Sequence, residues 1–245
     1  MTGHWALWEK YIEHGDISIG NLMCDPDTRR GVLNDLDLAR MGGPSRKPSA
    51  KDNTGTMPFL ALDLLNEAAF DGGVQRRYRH DAESFAWCLI YICVCMGRDS
   101  EGRIRTVSPH PLLRWFGNVD TSYRAKSQLK ELDNRLPLHE ATKPLAKALH
   151  VHWMNRFFDS QRLSANQQGL DGPKPHPSAA EFILSTKAGL QTQGSYEEPS
   201  DIESFKEMLQ VVVGVGIAVP QPLLRIYLTK LQTVKELYPF VFSPY

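Results

Sequence analysis

The sequence lacks a surplus of either charge: 28 Lys and Arg stand against 28 Asp and Glu, for a formal net charge of zero. A neutral chain without a basic run lacks the electrostatic footprint that a phosphate backbone requires, so no nucleic-acid partner is expected. The short group Arg76, Arg77 and Arg79 reads as a solvated loop. Long apolar runs are missing as well. The longest stretches, residues 85–96 and 208–219, fall well short of the ~20 residues a membrane span needs, and no membrane partner is expected. The opening residues Met1-Thr2-Gly3-His4-Trp5 do not place a basic region before an apolar core. They carry no secretory signal, and the expected location is cytoplasmic or nuclear.

Cysteine is scarce. Of the four, Cys24, Cys88, Cys93 and Cys95, three lie in the apolar run 85–96, where a thiol behaves as a small buried hydrophobe. One residue separates Cys93 from Cys95, not the two of a zinc knuckle or redox pair, which excludes those sites and leaves structural thiols of a reducing compartment.

What is present suits a soluble globular protein: 42% of the 245 residues are hydrophobic and 23% charged. Trp5, Trp8, Tyr11 and Ile12 recur at helical spacing and predict a helix ending near residue 13. Residues 22–24 and 31–34 flank the turn Asp25-Pro26-Asp27 and predict a small hairpin. A surface loop is expected over 40–56, rich in Gly, Pro, Ser, Lys and Asn. Helices are expected over 60–70, 82–96, 112–116, 123–132 and 141–158, with 82–96 apolar on nearly every face and therefore central. Composition shifts at 160–200 to Gln, Ser, Gly, Pro and Thr, as in a linker. Ser200-Asp201-Ile202-Glu203 then reads as a helix-starting capping box, followed by amphipathic stretches to residue 237. The predicted organisation is a folded unit at 1–160, a flexible linker at 161–200 and an amphipathic helical tail at 201–245.

The chemistry is concentrated in His14-Gly15-Asp16-Ile17-Ser18-Ile19-Gly20-Asn21. Phosphoryl transfer needs a carboxylate that orients a hydroxyl and takes its proton, and a nearby amide oxygen to hold a magnesium ion. The spacing His-x-Asp-x-x-x-x-Asn sets both on one loop. Further on, the apolar strand Val32-Leu33 leads to Asn34-Asp35-Leu36-Asp37-Leu38-Ala39, a place from which a second carboxylate can reach the metal. Taken without Asp16 and Asn21, that segment would read as a plain turn.

Together with Thr54-Gly55-Thr56-Met57-Pro58-Phe59-Leu60-Ala61 and His80-Asp81-Ala82-Glu83-Ser84, these motifs follow the order of the protein-kinase C-terminal lobe. Over residues 5–160 the chain resembles the fungal-type protein kinase family, itself similar to eukaryotic protein kinases. The resemblance implies a mainly α (α+β) fold: a protein-kinase-like C-terminal lobe with a short β-hairpin. It implies ATP-dependent phosphorylation of Ser or Thr on a protein substrate, with ATP and Mg2+ as cosubstrate and cofactor. Asp16 corresponds to the catalytic base, and Thr56 to the threonine that hydrogen-bonds it. Asn21 and Asp35 correspond to metal ligands, and His14 to a structural support of the site. Asp81 corresponds to a buried acid that accepts hydrogen bonds from the catalytic-loop backbone; it also suits a helix N-cap. No residue is assigned to nucleotide contact.

Departures from the family pattern shape the expectation further. Gly15 stands in place of the usual arginine, so no partner for a phosphorylated activation loop is offered there. Ser18 stands in place of a lysine that helps neutralise the transferred phosphate. Thirteen residues precede His14, which leaves no room for a glycine-rich loop and strand lysine. The expectation is a C-terminal lobe with the N-terminal lobe absent, inactive or truncated as given. The alternative is a non-catalytic, pseudokinase-like interaction module, and a third is a small-molecule phosphotransferase, whose motifs His14-Gly15-Asp16 and Asp35-x-Asp37 also resemble.

Overall fold

A computed structural model of the protein describes residues 2–28, 30–42, 54–66, 69, 71–108, 110–129, 143–167 and 200–214. It is a mixture of helices and three two-stranded antiparallel sheets among the described residues. The first helix, α1 (Thr2–Trp8), leads through a turn with Tyr11 at φ 59° into β1 (Ile12–Glu13). β1 pairs with β4 (Arg40–Met41), Ile12 opposite Met41. Between them, β2 (Leu22–Cys24) and β3 (Gly31–Leu33) form the hairpin expected from the turn residues, with Leu22 opposite Leu33.

The centre is α2 (Tyr78–Cys95), starting four residues earlier than apolar patterning places it. Its first turn carries His80 and Asp81, polar residues buried completely, which a hydrophobicity reading takes for solvent. The His80 side chain reaches back, its Nδ1 accepting from the Arg77 N–H at 3.1 Å, and so occupies one orphan donor of the helix start. A second donor, the Tyr78 N–H, is taken by the Asp201 carboxylate at 3.0 Å. After Cys95 the chain extends into β5 (Met96–Arg98), paired with β6 (Ile104–Thr106). Neither this hairpin nor β1–β4 is expected from the sequence.

α3 (Val119–Ser127) packs on the turns at 57–59, 62–64 and 113–116, while α4 (Lys143–Gln167) and α5 (Asp201–Gly214) pack against α2. α3 starts where Asn118 Oδ1 accepts from the Thr121 N–H at 2.9 Å. The region 60–70 is not one helix: its described part holds a tight turn, Leu62–Leu64, after another at Met57–Phe59. The side chain of Glu83 binds the Leu62 N–H, drawing the backbone away from α-helical bonding. α4 runs to Gln167, seven residues into the stretch whose composition reads as linker. Of the surface loop expected over 40–56, Arg40–Met41 is instead the strand β4, and residues 43–53, like the amphipathic stretch 223–237, lie outside the described residues.

Two apolar clusters sit on opposite faces of α2. One joins Ile17, Phe59, Leu62, Trp87, Cys88, Ile90, Trp115 and Met154. The other joins Trp5, Tyr78, Trp153, Phe205 and Met208. In the second, the rings of Trp5 and Phe205 stack with centroids 4.5 Å apart, and Tyr78 meets both edge-on. The Ser200 capping box forms as its sequence indicates, with the Ser200 N–H and Oγ both donating to Glu203 Oε2 at 2.7 Å. Cys88, Cys93 and Cys95 are buried free thiols; burial pushes the Cys88 thiol up to about 12 and Cys95 up to about 11, which keeps both unreactive. No helix of the described residues is long and apolar enough to cross a membrane.

Because Phe205 is fully buried against Trp5 and Tyr78, Phe205→Ala is expected to destabilise the protein by roughly 3–5 kcal/mol. Urea unfolding followed by tryptophan fluorescence measures it, and a change below about 0.5 kcal/mol would show α5 to be dispensable.

Candidate active site

The loop after β1 is anchored from below by Ile17, buried in the first apolar cluster, which leaves its neighbour Asp16 partly exposed on the upper side. One oxygen of Asp16 is occupied: Oδ1 accepts from both the Thr56 N–H and the Thr56 Oγ1–H, each at 2.7 Å. The other, Oδ2, receives a longer bond of 3.2 Å from Asn21 Nδ2, which also donates to the Asp16 carbonyl at 2.9 Å. With its nitrogen turned to Asp16, Asn21 keeps its amide oxygen free of hydrogen bonds among the described residues. The carboxylate is therefore fixed in orientation while Oδ2 retains spare acceptor capacity.

His14 is fully buried and holds the loop's shape. Its Nδ1 accepts from the Asp16 N–H at 3.2 Å, so the proton lies on Nε2, which donates to the Asn34 carbonyl at 3.0 Å. The Asn34 N–H in turn donates to the Asn21 carbonyl at 2.9 Å. This two-point tie joins the end of β3 to the loop and places Asp35 next in the chain. Asp35 is exposed, at φ 62°, with Oδ1 only weakly engaged by the Asp37 N–H at 3.4 Å.

Its own backbone conformation and a close carbonyl explain Gly15. It has φ +83°, and a Cβ there would lie 3.1 Å from the Leu38 carbonyl oxygen. Across from it, Gly55 has φ +140° and a Cβ would come within 2.7 Å of Leu60 Cδ2 and 3.0 Å of the Gly15 oxygen. The Gly55 backbone therefore lies against the Gly15 carbonyl, while at position 15 itself the positive φ and the close Leu38 carbonyl oxygen are what favour glycine.

Asp81 does not do what the resemblance implies. Its Oδ1 accepts from Arg76 Nε at 3.0 Å and Nη2 at 2.6 Å, and its Oδ2 pairs with His4 Nε2 at 2.9 Å; neither partner belongs to the backbone of 14–16. Arg76 spends another donor, Nη1, on the Thr54 carbonyl at 3.0 Å. Asp81 is thus tied to the 54–56 segment through Arg76 rather than bonded directly to the loop. The arginine group is correspondingly not a solvated loop: Arg76 is buried and Arg79 pairs with Asp63. An arginine five residues before an acid at the start of an apolar helix was the signal available for that pair. Glu83 and Lys126, buried beside residues 60–62, had no such signal.

No group of three or more His, Cys, Asp or Glu side chains converges on a metal position among the described residues. Magnesium does not require one. It is held by one or two protein oxygens together with phosphates and water, and the Asn21 amide oxygen and the exposed Asp35 carboxylate, joined through Asn34, are donors of the right kind.

Burial alone would raise the Asp81 carboxyl, but the Arg76 charge and the His4 contact outweigh it and hold the group well below the usual carboxylate range. The folded-state value lies below the unfolded one, so its stabilisation is present above ~pH 4 and is lost as pH falls below that toward the folded value. The urea midpoint should therefore drop as pH is lowered from 5 to 2, and Asp81→Asn should flatten that drop while lowering stability at pH 7; an unchanged slope would contradict the assignment.

Residues 1–93 match the family model for fungal protein kinase. The matched stretch contains all four motifs and ends inside α2, so it covers less of the chain than the residues 5–160 expected from the motifs. No curated protein matches the chain.

Proposed function

We propose, from this fungal protein kinase likeness and the geometry around Asp16, that residues 1–160 form the C-terminal-lobe part of a protein-kinase-like phosphotransferase acting on Ser or Thr of a protein substrate. The observation that carries the reading is the two-sided hold on Asp16: Thr56 saturates Oδ1, and Asn21 steers Oδ2. A carboxylate so fixed can orient a hydroxyl toward a phosphoryl group and take its proton at Oδ2. Thr56 positions the base. His14 keeps the loop closed through its Nε2–H bond to Asn34. Asn21 and Asp35 would hold the magnesium ion, which when bound with ATP neutralises charge on the transferred phosphate. The glycine-rich loop and strand lysine that grip nucleotide in kinases are not among these 245 residues, and these residues alone bind nucleotide weakly.

A non-catalytic interaction module is the second reading. It draws support from Tyr11, Met23, Val32, Leu36, Leu38 and Met41, large apolar side chains that are all exposed in the stretch surrounding Asp16. Such a concentration suits contact with another protein surface.

The test is transfer of labelled phosphate from ATP·Mg2+ to a Ser/Thr peptide library, using the protein tagged at its own locus and purified from its native cell. Transfer is expected, with Asp16→Asn and Asp35→Asn each lowering it on the order of 10³-fold. Transfer that survives Asp16→Asn would refute the catalytic assignment, and no transfer by the wild type would favour the interaction module.

A further inference from the structure

Between Asp16's partner Thr56 and α2 lies the segment Leu60-Ala61-Leu62, and two buried ionisable side chains grip it from different elements. Lys126, on α3 and fully buried, donates from Nζ to the Leu60 carbonyl at 2.7 Å. Its ammonium lies over the rings of Trp87 and Trp115, 5.2 and 5.4 Å from their centroids, which compensates part of the lost hydration. Glu83, on α2, accepts the Leu62 N–H on Oε1 at 2.8 Å, and the same oxygen takes the Trp87 Nε1–H at 2.9 Å. No direct ion pair joins the two: Lys126 spends its bond on the Leu60 carbonyl, and Glu83 Oε1 takes the Leu62 N–H and the Trp87 Nε1–H.

Burying two ionisable groups to hold three residues is costly where an apolar contact would serve. What the arrangement supplies is direction. A carbonyl and an N–H two residues apart are both specified, so the segment cannot slide or rotate without stranding a charged group. Four residues upstream of Leu60, the Thr56 N–H and hydroxyl make the two bonds that orient Asp16, and the Phe59 N–H and Leu60 N–H close the intervening turn onto Thr56 and Met57. Displacement at 60–62 is therefore transmitted to Thr56 through one tight turn. Burial pushes the Glu83 carboxyl up and the Lys126 ammonium down, with Asp63 facing Glu83 and Cys88 facing Lys126; both groups are strained by the site, as expected where position is held at the expense of solvation.

We infer that Glu83 and Lys126 are positioning residues, which set the 60–62 backbone and through it the Thr56 contact that orients Asp16. The inference rests on the proposed function for its catalytic consequence, but its structural content is measurable without activity. Native-state hydrogen exchange of the full chain reads the amides of Thr56 and Leu62 against those of Ile90 and Val94 in α2. In the wild type, Thr56 and Leu62 are expected to open together, with one denaturant dependence. In Lys126→Met, Thr56 protection should fall at least tenfold more than that of Ile90, while Glu83→Gln, which keeps an acceptor for Leu62, should leave it within about twofold. Independent opening of Thr56 and Leu62 in the wild type overturns the inference even if the variants do not fold, and so does an equal loss of protection at Thr56 and Ile90 in Lys126→Met. Where transfer is measured, Lys126→Met should lower kcat with little change in the KM for ATP. If the exchange results hold and the wild type transfers no phosphate, the positioning stands and the kinase reading alone fails.

Discussion

The buried carboxylate of Asp81 is the point on which the described structure converges. It sits in the first turn of α2 without solvent contact, bound on one oxygen by Arg76 and on the other by His4. His4 brings α1 to α2, and Arg76 reaches on to the Thr54 carbonyl. One charge therefore ties the helix before the loop, the central helix and the segment that crosses above the loop. Removing either partner would leave the other charge buried and uncompensated, an imbalance of several kcal/mol in comparable sites. The rest of the site is short-range once these three pieces are in place.

That order explains the division of labour around Asp16. Hydrogen bonds of His14 and Asn21 with Asp16, and the His14 tie to the Asn34 carbonyl, set the curvature of the loop. Contacts from outside, by Thr56, set the direction of the carboxylate. Gly55 lets its backbone approach the Gly15 carbonyl closely enough for the second set to form. Gly15 itself answers to its positive φ and to the Leu38 carbonyl oxygen close beside it.

Features written in local pattern were legible in the sequence. The β2–β3 hairpin follows from a Pro-containing turn between apolar triplets, α2 from its run of apolar residues, and the start of α5 from Ser200 and Glu203. The motif residues Asp16, Asn21 and Thr56 could be named, and they meet in space. What escaped depended on distant partners. Two-residue strands such as β1 and β4 have no pattern of their own, and β6 is exposed along its length, so no alternation marks it. Arg76, Lys126 and Glu83 look like ordinary surface charges until the elements that bury them are assembled. Asp81 is buried, as the resemblance implies, but it is paired with Arg76 and His4 rather than with the backbone of the loop, and the place of Arg76 five residues before it is the one local sign of that pair.

The stacking of Trp5 on Phe205 means that the unit of similarity and the unit of folding do not coincide. The stretch that matches the kinase family ends within α2, yet the aromatic face of α1 and the start of α2 find their cover more than a hundred residues later, in α5. Asp201 adds to this by binding Trp8 Nε1 and the Tyr78 N–H at once. A nascent chain leaving the ribosome would hold every site residue long before it held the residues that close its second core. The aromatic core on that face of α2 would close only once α5 had been made, later than the residues around Asp16.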